Sequence, residues 1–218
     1  MKSIVAINGS PKAKDSVSSL FIKQIEGILE SNITVYQATK LSREENIAEA
    51  LAVIRQADAL LIVFPLYVDS LPSRLIKALN LLEEGLSGKG GQLPTVYAIC
   101  NCGFFEGGHT RIALNIIENF SAHAGLTWGY GIGFGCGGFL QSQSKNMSKG
   151  PAANVYAALQ ELVRAIQTGG RGKKNVFVAP KIPRFFYEFM GNLGWLYMAR
   201  KNGVGKLQKA KPHLDKSS

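Results

Sequence analysis

Hydroxyl and basic side chains cluster directly after the first apolar run of the chain, residues 4–7, and just before a helical pattern. The first N–H groups of a helix have no intrahelical partner and lie at its positive dipole end, so they bind anions readily. Hydroxyl groups add donors to such a site, and a lysine adds positive charge. The sequence therefore predicts a phosphate site. Its candidate residues are Ser10, Lys12, Lys14, Ser16, Ser18 and Ser19.

The spacing in this loop excludes two common nucleotide-binding motifs. No Gly-Lys-Ser/Thr follows at the spacing of a P-loop, and the loop lacks the three glycines of a dinucleotide fingerprint. A phosphate held by hydroxyl and backbone groups indicates a monophosphate. An ordinary serine N-cap is the alternative interpretation, because serine is a preferred residue at that position.

Short apolar runs alternate with helical patterns along most of the chain. This alternation predicts a doubly wound parallel sheet of five strands, an α/β fold. Ser42 and Glu45 have the spacing of a capping box, which predicts the start of a helix there. Glycines weaken the pattern of the fifth strand. The predicted strands lie near residues 4–7, 33–37, 59–64, 95–100 and 128–134.

The segments after the third and fourth predicted strands are rich in aromatic residues and glycine or proline. They are residues 65–72 and 101–108. In doubly wound sheets ligands bind beyond the carboxyl ends of the strands, so these segments belong to the same site as the phosphate loop. Aromatic side chains and main-chain groups together suit a flat ring. The site therefore fits FMN, and the alternative is that Tyr67, Phe104 and Phe105 close the top of the core.

Three stretches resemble the flavodoxin-like NAD(P)H-dependent FMN reductases. They are Gly9-Ser10-Pro11-Lys12 with its downstream serines, Pro65-x-Tyr67 followed by residues 71–77, and residues 101–104. The resemblance covers roughly residues 1–168 and implies a flavodoxin-like sheet of order 2-1-3-4-5 with FMN bound non-covalently. It places the phosphate near Ser10, Lys12, Ser16 and Ser18. It places the ring against Pro65, Leu66, Tyr67, Val68, Asp69, Asn101, Cys102, Gly103, Phe104 and Phe105.

The same resemblance implies NADPH or NADH as the hydride source and a homodimer whose partner chain helps to cover the flavin.

Two departures from the family stand out. Asp15 lies where many relatives have glycine in the phosphate loop, so an acidic residue adjoins the proposed phosphate. The four-cysteine insertion of the iron–sulfur branch is absent, so we expect flavin to be the sole redox centre. We predict no general acid or base, and His109 is either a modulator of the ring or a surface residue.

Composition and length predict a globular protein of one main domain. The 218 residues are 46% hydrophobic and 18% charged. No apolar stretch reaches the length of a membrane span and no signal-peptide pattern opens the chain, so we expect a cytoplasmic protein. The three cysteines, Cys100, Cys102 and Cys136, are too few for a thiolate metal site, and we expect them to be reduced and buried.

Positive charge is concentrated at the C-terminal end of the chain. Residues 1–170 contain 14 Lys/Arg and 13 Asp/Glu, whereas residues 171–218 contain 11 and 2. This distribution argues against a nucleic-acid-binding domain, which carries its basic stripe on the folded core. We divide the chain into a flavodoxin-like domain over 1–170 and a basic, aromatic extension over 171–218. Residues 184–201 of this extension are expected to form a helix. This helix packs on its own domain, covers the flavin of a partner subunit, or lies on an anionic membrane surface.

Taken together, these features predict an FMN-dependent NAD(P)H oxidoreductase. The expected acceptor is a small molecule such as a quinone, a nitroaromatic compound or a free flavin. An electron carrier of the flavodoxin type is the first alternative, although such carriers are usually acidic and this chain has a net charge of +10. A flavin-free binding module is the second alternative, which Asp15 favours.

Overall fold

The computed structural model describes residues 2–12, 15–88, 91–171 and 174–204. Lys14, a candidate residue of the predicted phosphate site, lies outside these residues. The chain divides into two compact units, Met1–Lys181 and Ile182–Ser218.

The first unit is built on a sheet that has six strands within the described residues, all parallel, in the order β2-β1-β3-β4-β5-β6. The predicted class and the order of the first five strands are confirmed. The number of strands is corrected from five to six, because a short strand pairs with β5 at the edge. The strands are β1 (Ile4–Asn8), β2 (Thr34–Gln37), β3 (Ala59–Pro65), β4 (Thr95–Asn101), β5 (Thr127–Phe134) and β6 (Val176–Val178).

Helices cover both faces of this sheet. The described residues contain eight α-helices. They are α1 (Val17–Leu29), α2 (Ala38–Leu41), α3 (Ile47–Gln56), α4 (Ser73–Leu86), α5 (Arg111–His123), α6 (Gly137–Ser142), α7 (Ala153–Thr168) and α8 (Arg184–Lys201). α1 and α7 pack together on one face of the sheet, and α3, α4 and α5 pack in sequence on the other.

The central strand β3 explains why the sheet is buried on both sides. Its residues from Ala59 to Phe64 are all buried, with alternate side chains in two hydrophobic clusters on opposite faces. A continuous apolar run is the pattern expected of such a strand. The edge strand β2 differs, since Thr34 and Val35 are exposed.

The capping box predicted at Ser42 is wrong. Ser42 follows the short helix α2, and its hydroxyl donates to the carbonyl of Thr39 at 3.1 Å. A 3₁₀ turn over Glu44–Asn46 then leads into α3. The serine hydroxyl bonds backward to the preceding turn rather than forward to the next helix, which is the local competition that serine side chains introduce.

The glycines of β5 are positions of close packing. A Cβ on Gly129 would overlap the ring of Tyr97, and one on Gly131 would lie 2.8 Å from Leu114 Cδ2. A Cβ on Gly133 would overlap Thr110 Oγ1. The glycines that weaken the strand pattern therefore allow a large tyrosine ring and the segment before α5 to rest directly on the strand.

The second unit contains α8, which begins after Pro183 and ends at Lys201 as the sequence predicts. All of its residues are described and none is buried. Among the described residues, no helix combines the length and apolar character needed to cross a membrane.

Replacing Gly133 with alanine tests the packing of β5. We expect Gly133→Ala to lower the free energy of unfolding by about 1–3 kcal/mol, because the new methyl group meets Thr110 and, at 2.8 Å, the ring of Phe177. Gly27→Ala in α1 is the matched control, since nothing lies within 4 Å of its Cβ. This control is expected to raise stability by about 0.5–1 kcal/mol. Urea unfolding measures the free energy of unfolding of both variants. An equal change in the two variants would contradict close packing at Gly133.

Candidate functional site

The loop from β1 to α1 is organised by the side chain of Asn8, the last residue of β1. Its Oδ1 accepts the backbone N–H of Ser10 at 3.0 Å, and its Nδ2 donates to Ser19 Oγ at 3.0 Å. The Ser10 hydroxyl in turn accepts the backbone N–H of Lys12 at 3.2 Å. One buried amide therefore joins the two ends of the predicted phosphate loop.

The serines of this loop have distinct positions. Ser16 is the N-cap of α1, and its Oγ accepts the backbone N–H of Ser19 at 3.0 Å and lies 2.9 Å from Ser19 Oγ. Ser10, Ser16 and Ser18 are buried, whereas Lys12 is exposed. The capping serine therefore also belongs to the predicted hydroxyl group, because its Oγ lies beside that of Ser19.

Asp15 lies beside this cluster with its side chain exposed. Its backbone has a φ of 56°, and its carbonyl oxygen accepts a hydrogen bond from Gln141 Nε2 at 2.7 Å. Asp15, Ser19 and Lys23 line two neighbouring open cavities of about 360 and 270 Å³. Asp15 thus lines both cavities together with a hydroxyl-bearing residue and a basic residue.

The segment after β3 forms a tight turn. Tyr67 and Ser70 exchange backbone hydrogen bonds of 2.9 and 3.0 Å. The two central residues, Val68 and Asp69, have φ values of 48° and 57°, as a type I′ turn requires. Val68 is 99% exposed and Tyr67 is 47% exposed, while Pro65 and Leu66 are half-buried. The turn therefore carries apolar side chains outward from the end of the sheet.

Asn101, the last residue of β4, ties three elements together. Its Nδ2 donates to the carbonyl of Phe64 in β3 at 3.0 Å and to Ser18 Oγ in α1 at 3.4 Å. Its own carbonyl accepts the N–H of Leu66 at 2.8 Å. Through this residue the structure brings the hydroxyl cluster next to the segments that follow β3 and β4.

The loop after β4 rests on the end of β5. Cys102 is buried, with its N–H donating to Phe134 O at 2.9 Å and its carbonyl accepting Gly137 N–H at 2.8 Å. A Cβ on Gly135 would overlap the carbonyl of Phe105. Gly103 and Phe104 project from this base and are exposed, Phe104 by 53%, whereas Phe105 is half-buried.

His109 follows the same loop at the surface. Its ring contacts that of Phe104, with centroids 4.4 Å apart, and its Nε2 lies 3.7 Å from a carboxylate oxygen of Glu106. An open cavity of about 500 Å³ is lined by Glu106 and His109 together with Asp69 and Arg111. The surface interpretation of His109 therefore agrees with its exposure, although the residue also borders the proposed ring segments.

The cysteines are all free and buried, as expected. Burial raises the pKa of Cys100 and Cys102, and burial together with the neighbouring Cys102 raises the pKa of Cys136 to about 12. These thiols stay protonated at neutral pH and are poor nucleophiles. Among the described residues, no group of histidine, cysteine and acidic side chains is arranged to hold a metal ion.

Two residues that the sequence analysis did not propose belong to this region. Asn8 directly precedes a glycine-serine pair, a position from which an asparagine side chain can bond the backbone of the following turn. Lys23 is four residues after Ser19, so it lies on the same face of α1. That spacing was available in the sequence.

Comparison with solved structures supports the same fold. One similar structure is an NADH:FMN oxidoreductase (EMOB) in its apo form, with 18% identity, a TM-score of 0.54, and coverage of 79% of this chain and 92% of that chain. Another is an NAD(P)H:quinone oxidoreductase from Methanothermobacter marburgensis, with 15% identity, a TM-score of 0.55, and coverage of 79% and 98%. A third is the flavoenzyme FerB, an NAD(P)H:(acceptor) oxidoreductase from Paracoccus denitrificans, with 16% identity, a TM-score of 0.52, and coverage of 76% and 95%.

A family model identifies the chain more directly. No curated protein matches the sequence. The model described as NADPH-dependent FMN reductase matches residues 2–125 of the 218. This range contains the phosphate loop and both aromatic segments. The chain therefore belongs to the NADPH-dependent FMN reductase family, and it is an oxidoreductase with a flavodoxin-like fold.

Proposed function

We propose that this protein binds FMN at the carboxyl edge of its sheet and transfers a hydride from NADPH or NADH through it to a small acceptor. The acceptor classes that we propose are quinones, nitroaromatic compounds and free flavins. The observation that carries the proposal is the hydrogen bonding of Asn101, which holds the hydroxyl cluster beside the segments after β3 and β4. A phosphate site next to two aromatic segments matches the two ends of FMN.

In this proposal the phosphate lies at the start of α1. Hydroxyl groups of the loop donate to the phosphate oxygens, and the positive end of the helix dipole favours their charge. Lys12 is exposed and adds charge from the solvent side. The proposed phosphate ligands are Ser10, Lys12, Ser16, Ser18 and Ser19.

The isoalloxazine ring lies against the two segments that project beyond β3 and β4. Tyr67 and Phe104 are about half exposed, so each has a ring face available for contact. Asn101 and Cys102 are buried at the base of the segments, where they fix the backbone that faces the ring. The proposed ring contacts are Pro65, Leu66, Tyr67, Val68, Asp69, Asn101, Cys102, Gly103, Phe104 and Phe105.

The reaction requires little acid–base chemistry from the chain. FMN, when bound, accepts hydride from a nicotinamide and passes electrons on to an acceptor. The residues of the site bind and orient both partners, and the apolar side chains of Tyr67, Val68 and Phe104 exclude water from the ring. Because the described cysteines are buried and protonated, we assign none of them to the reaction.

The proposal includes a cytoplasmic homodimer in which the partner chain covers part of the flavin. Residues 1–170 are the proposed FMN-binding domain, and the extension, residues 171–218, adds β6 to the edge of its sheet. The exposed, apolar turn at Val68 supports a covering partner, since an isolated chain leaves this side chain in water.

Anaerobic reduction of the FMN-loaded protein tests the proposed activity. We expect the purified full-length protein to bind FMN and its visible flavin absorbance to bleach when NADPH or NADH is added without oxygen. A quinone added afterwards is expected to restore the absorbance. Bound flavin that neither nucleotide reduces would identify an electron carrier instead, and failure to bind FMN would identify a flavin-free module.

Neutralising Asp15 tests the phosphate site. We expect Asp15→Asn to tighten FMN binding by about two- to fivefold, because it removes an exposed negative charge beside the proposed phosphate. Glu30→Gln at the opposite end of α1 is the matched control and is expected to leave the affinity unchanged. Fluorescence quenching of FMN measures the dissociation constants of the unmodified protein and of the two variants. Equal affinities for riboflavin in all three proteins are expected as well, since riboflavin lacks the phosphate.

Truncating Tyr67 tests the ring site. We expect Tyr67→Ala to weaken FMN binding by about tenfold through loss of an aromatic contact, with little change in the stability of the flavin-free protein. Phe185→Ala in α8 is the matched control, because it removes another exposed aromatic ring. Unchanged FMN affinity in Tyr67→Ala would place the ring elsewhere.

A further inference from the structure

Helix α8 exposes an unusual number of large apolar side chains. Scattered apolar residues are normal on a protein surface, whereas a contiguous patch marks an interaction site. Nine such side chains fall within the 18 residues of this helix. They are Phe185, Phe186, Phe189, Met190, Leu193, Trp195, Leu196, Tyr197 and Met198.

Most of these side chains share one face of the helix. Residues three or four apart in an α-helix lie on the same side. Phe185, Phe189, Leu193 and Leu196 follow this spacing, and Phe186, Met190, Leu193 and Tyr197 form an adjoining row through the shared Leu193. The two rows make a continuous apolar face from Phe185 to Tyr197, and Arg200 and Lys201 follow at its C-terminal end.

A short polar row occupies another side of α8 over its first half, and Trp195 follows it on that side. Arg184, Glu188 and Asn192 are four residues apart, and Arg184 Nε bonds Glu188 Oε1 at 2.8 Å. Trp195 and Tyr197 are residue types that favour the boundary between an apolar phase and water. The helix therefore has the composition of one that lies along an interface rather than across it.

The charge around α8 indicates what covers its apolar face. Arg200 and Lys201 close the helix, and residues 171–218 carry 11 Lys/Arg against 2 Asp/Glu. Such a segment is attracted to an anionic surface. Association of α8 with the same helix of a second copy would bring two strongly basic extensions together, and like-charge repulsion opposes this association.

We infer that α8 binds the surface of an anionic lipid bilayer. The face containing Phe189 and Leu193 enters the boundary of the acyl chains, and Arg200 and Lys201 contact the headgroups. The inference does not depend on the flavin chemistry. One consequence rests on the proposed function: attachment brings the reductase to the phase in which apolar quinones dissolve.

Vesicle co-sedimentation of the full-length protein tests this inference. The vesicles are phosphatidylcholine alone or an equimolar mixture of phosphatidylcholine and phosphatidylglycerol. We expect binding to the mixed vesicles to be at least about tenfold stronger and to weaken as salt is raised. Phe189→Ser/Leu193→Ser is expected to weaken it by about tenfold or more. Val53→Ser, an exposed apolar position in α3, is the matched control and is expected to bind as the unmodified protein does.

A second variant separates charge from apolar contact. Arg200→Gln/Lys201→Gln is expected to weaken binding to the mixed vesicles about tenfold and to leave the weak binding to phosphatidylcholine unchanged. Absence of binding, or equal binding to both vesicles, would overturn the inference. So would a dimer in sedimentation velocity that dissociates in Phe189→Ser/Leu193→Ser, because the face would then pack against a second copy. NAD(P)H oxidation with a water-soluble acceptor is measured on the same samples, so failure of the proposed reductase activity is recognised separately.

Discussion

The geometry of the candidate site depends on one buried amide, that of Asn101. Its Nδ2 bonds the carbonyl of Phe64 and the hydroxyl of Ser18, so a single side chain fixes the end of β4 against β3 and α1. A buried donor or acceptor without a partner costs about 1–3 kcal/mol, and this cost opposes any movement that separates the three elements. Asn8 has the same role at the end of β1, where it joins Ser10 to Ser19.

The region beyond these amides has a rigid base and exposed tips. The loop after β4 lies so close to Gly133 and Gly135 that neither position accommodates a Cβ without a shift of the surrounding atoms. The side chain of Phe104 projects from the same loop into solvent. Close backbone packing therefore sets the direction in which the aromatic side chain points, and the lack of a side chain at Gly133 and Gly135 is what permits that packing.

The fold was predictable because its signals are local. A buried central strand is a continuous apolar run, as at residues 59–64, and helices repeat apolar residues every three to four positions. β6 was missed because its three residues, between Asn175 and Ala179, carry too little pattern to indicate a strand. The site was predictable only as a set of segments. The bond between Asn101 and Ser18 joins residues 83 positions apart, and no local spacing specifies it.

The turn after β3 is the place where local rules and the observed structure disagree most. Type I′ turns favour asparagine and glycine, yet Val68 and Asp69 occupy the central positions with positive φ. Such a conformation costs about 1–3 kcal/mol for each residue that is not glycine, and it is least tolerated by β-branched side chains. Val68 is 99% exposed, so packing within the chain does not offset this cost. An apolar side chain held in this way gains most where a ligand or a partner chain covers it, which is the role proposed for residues 65–69.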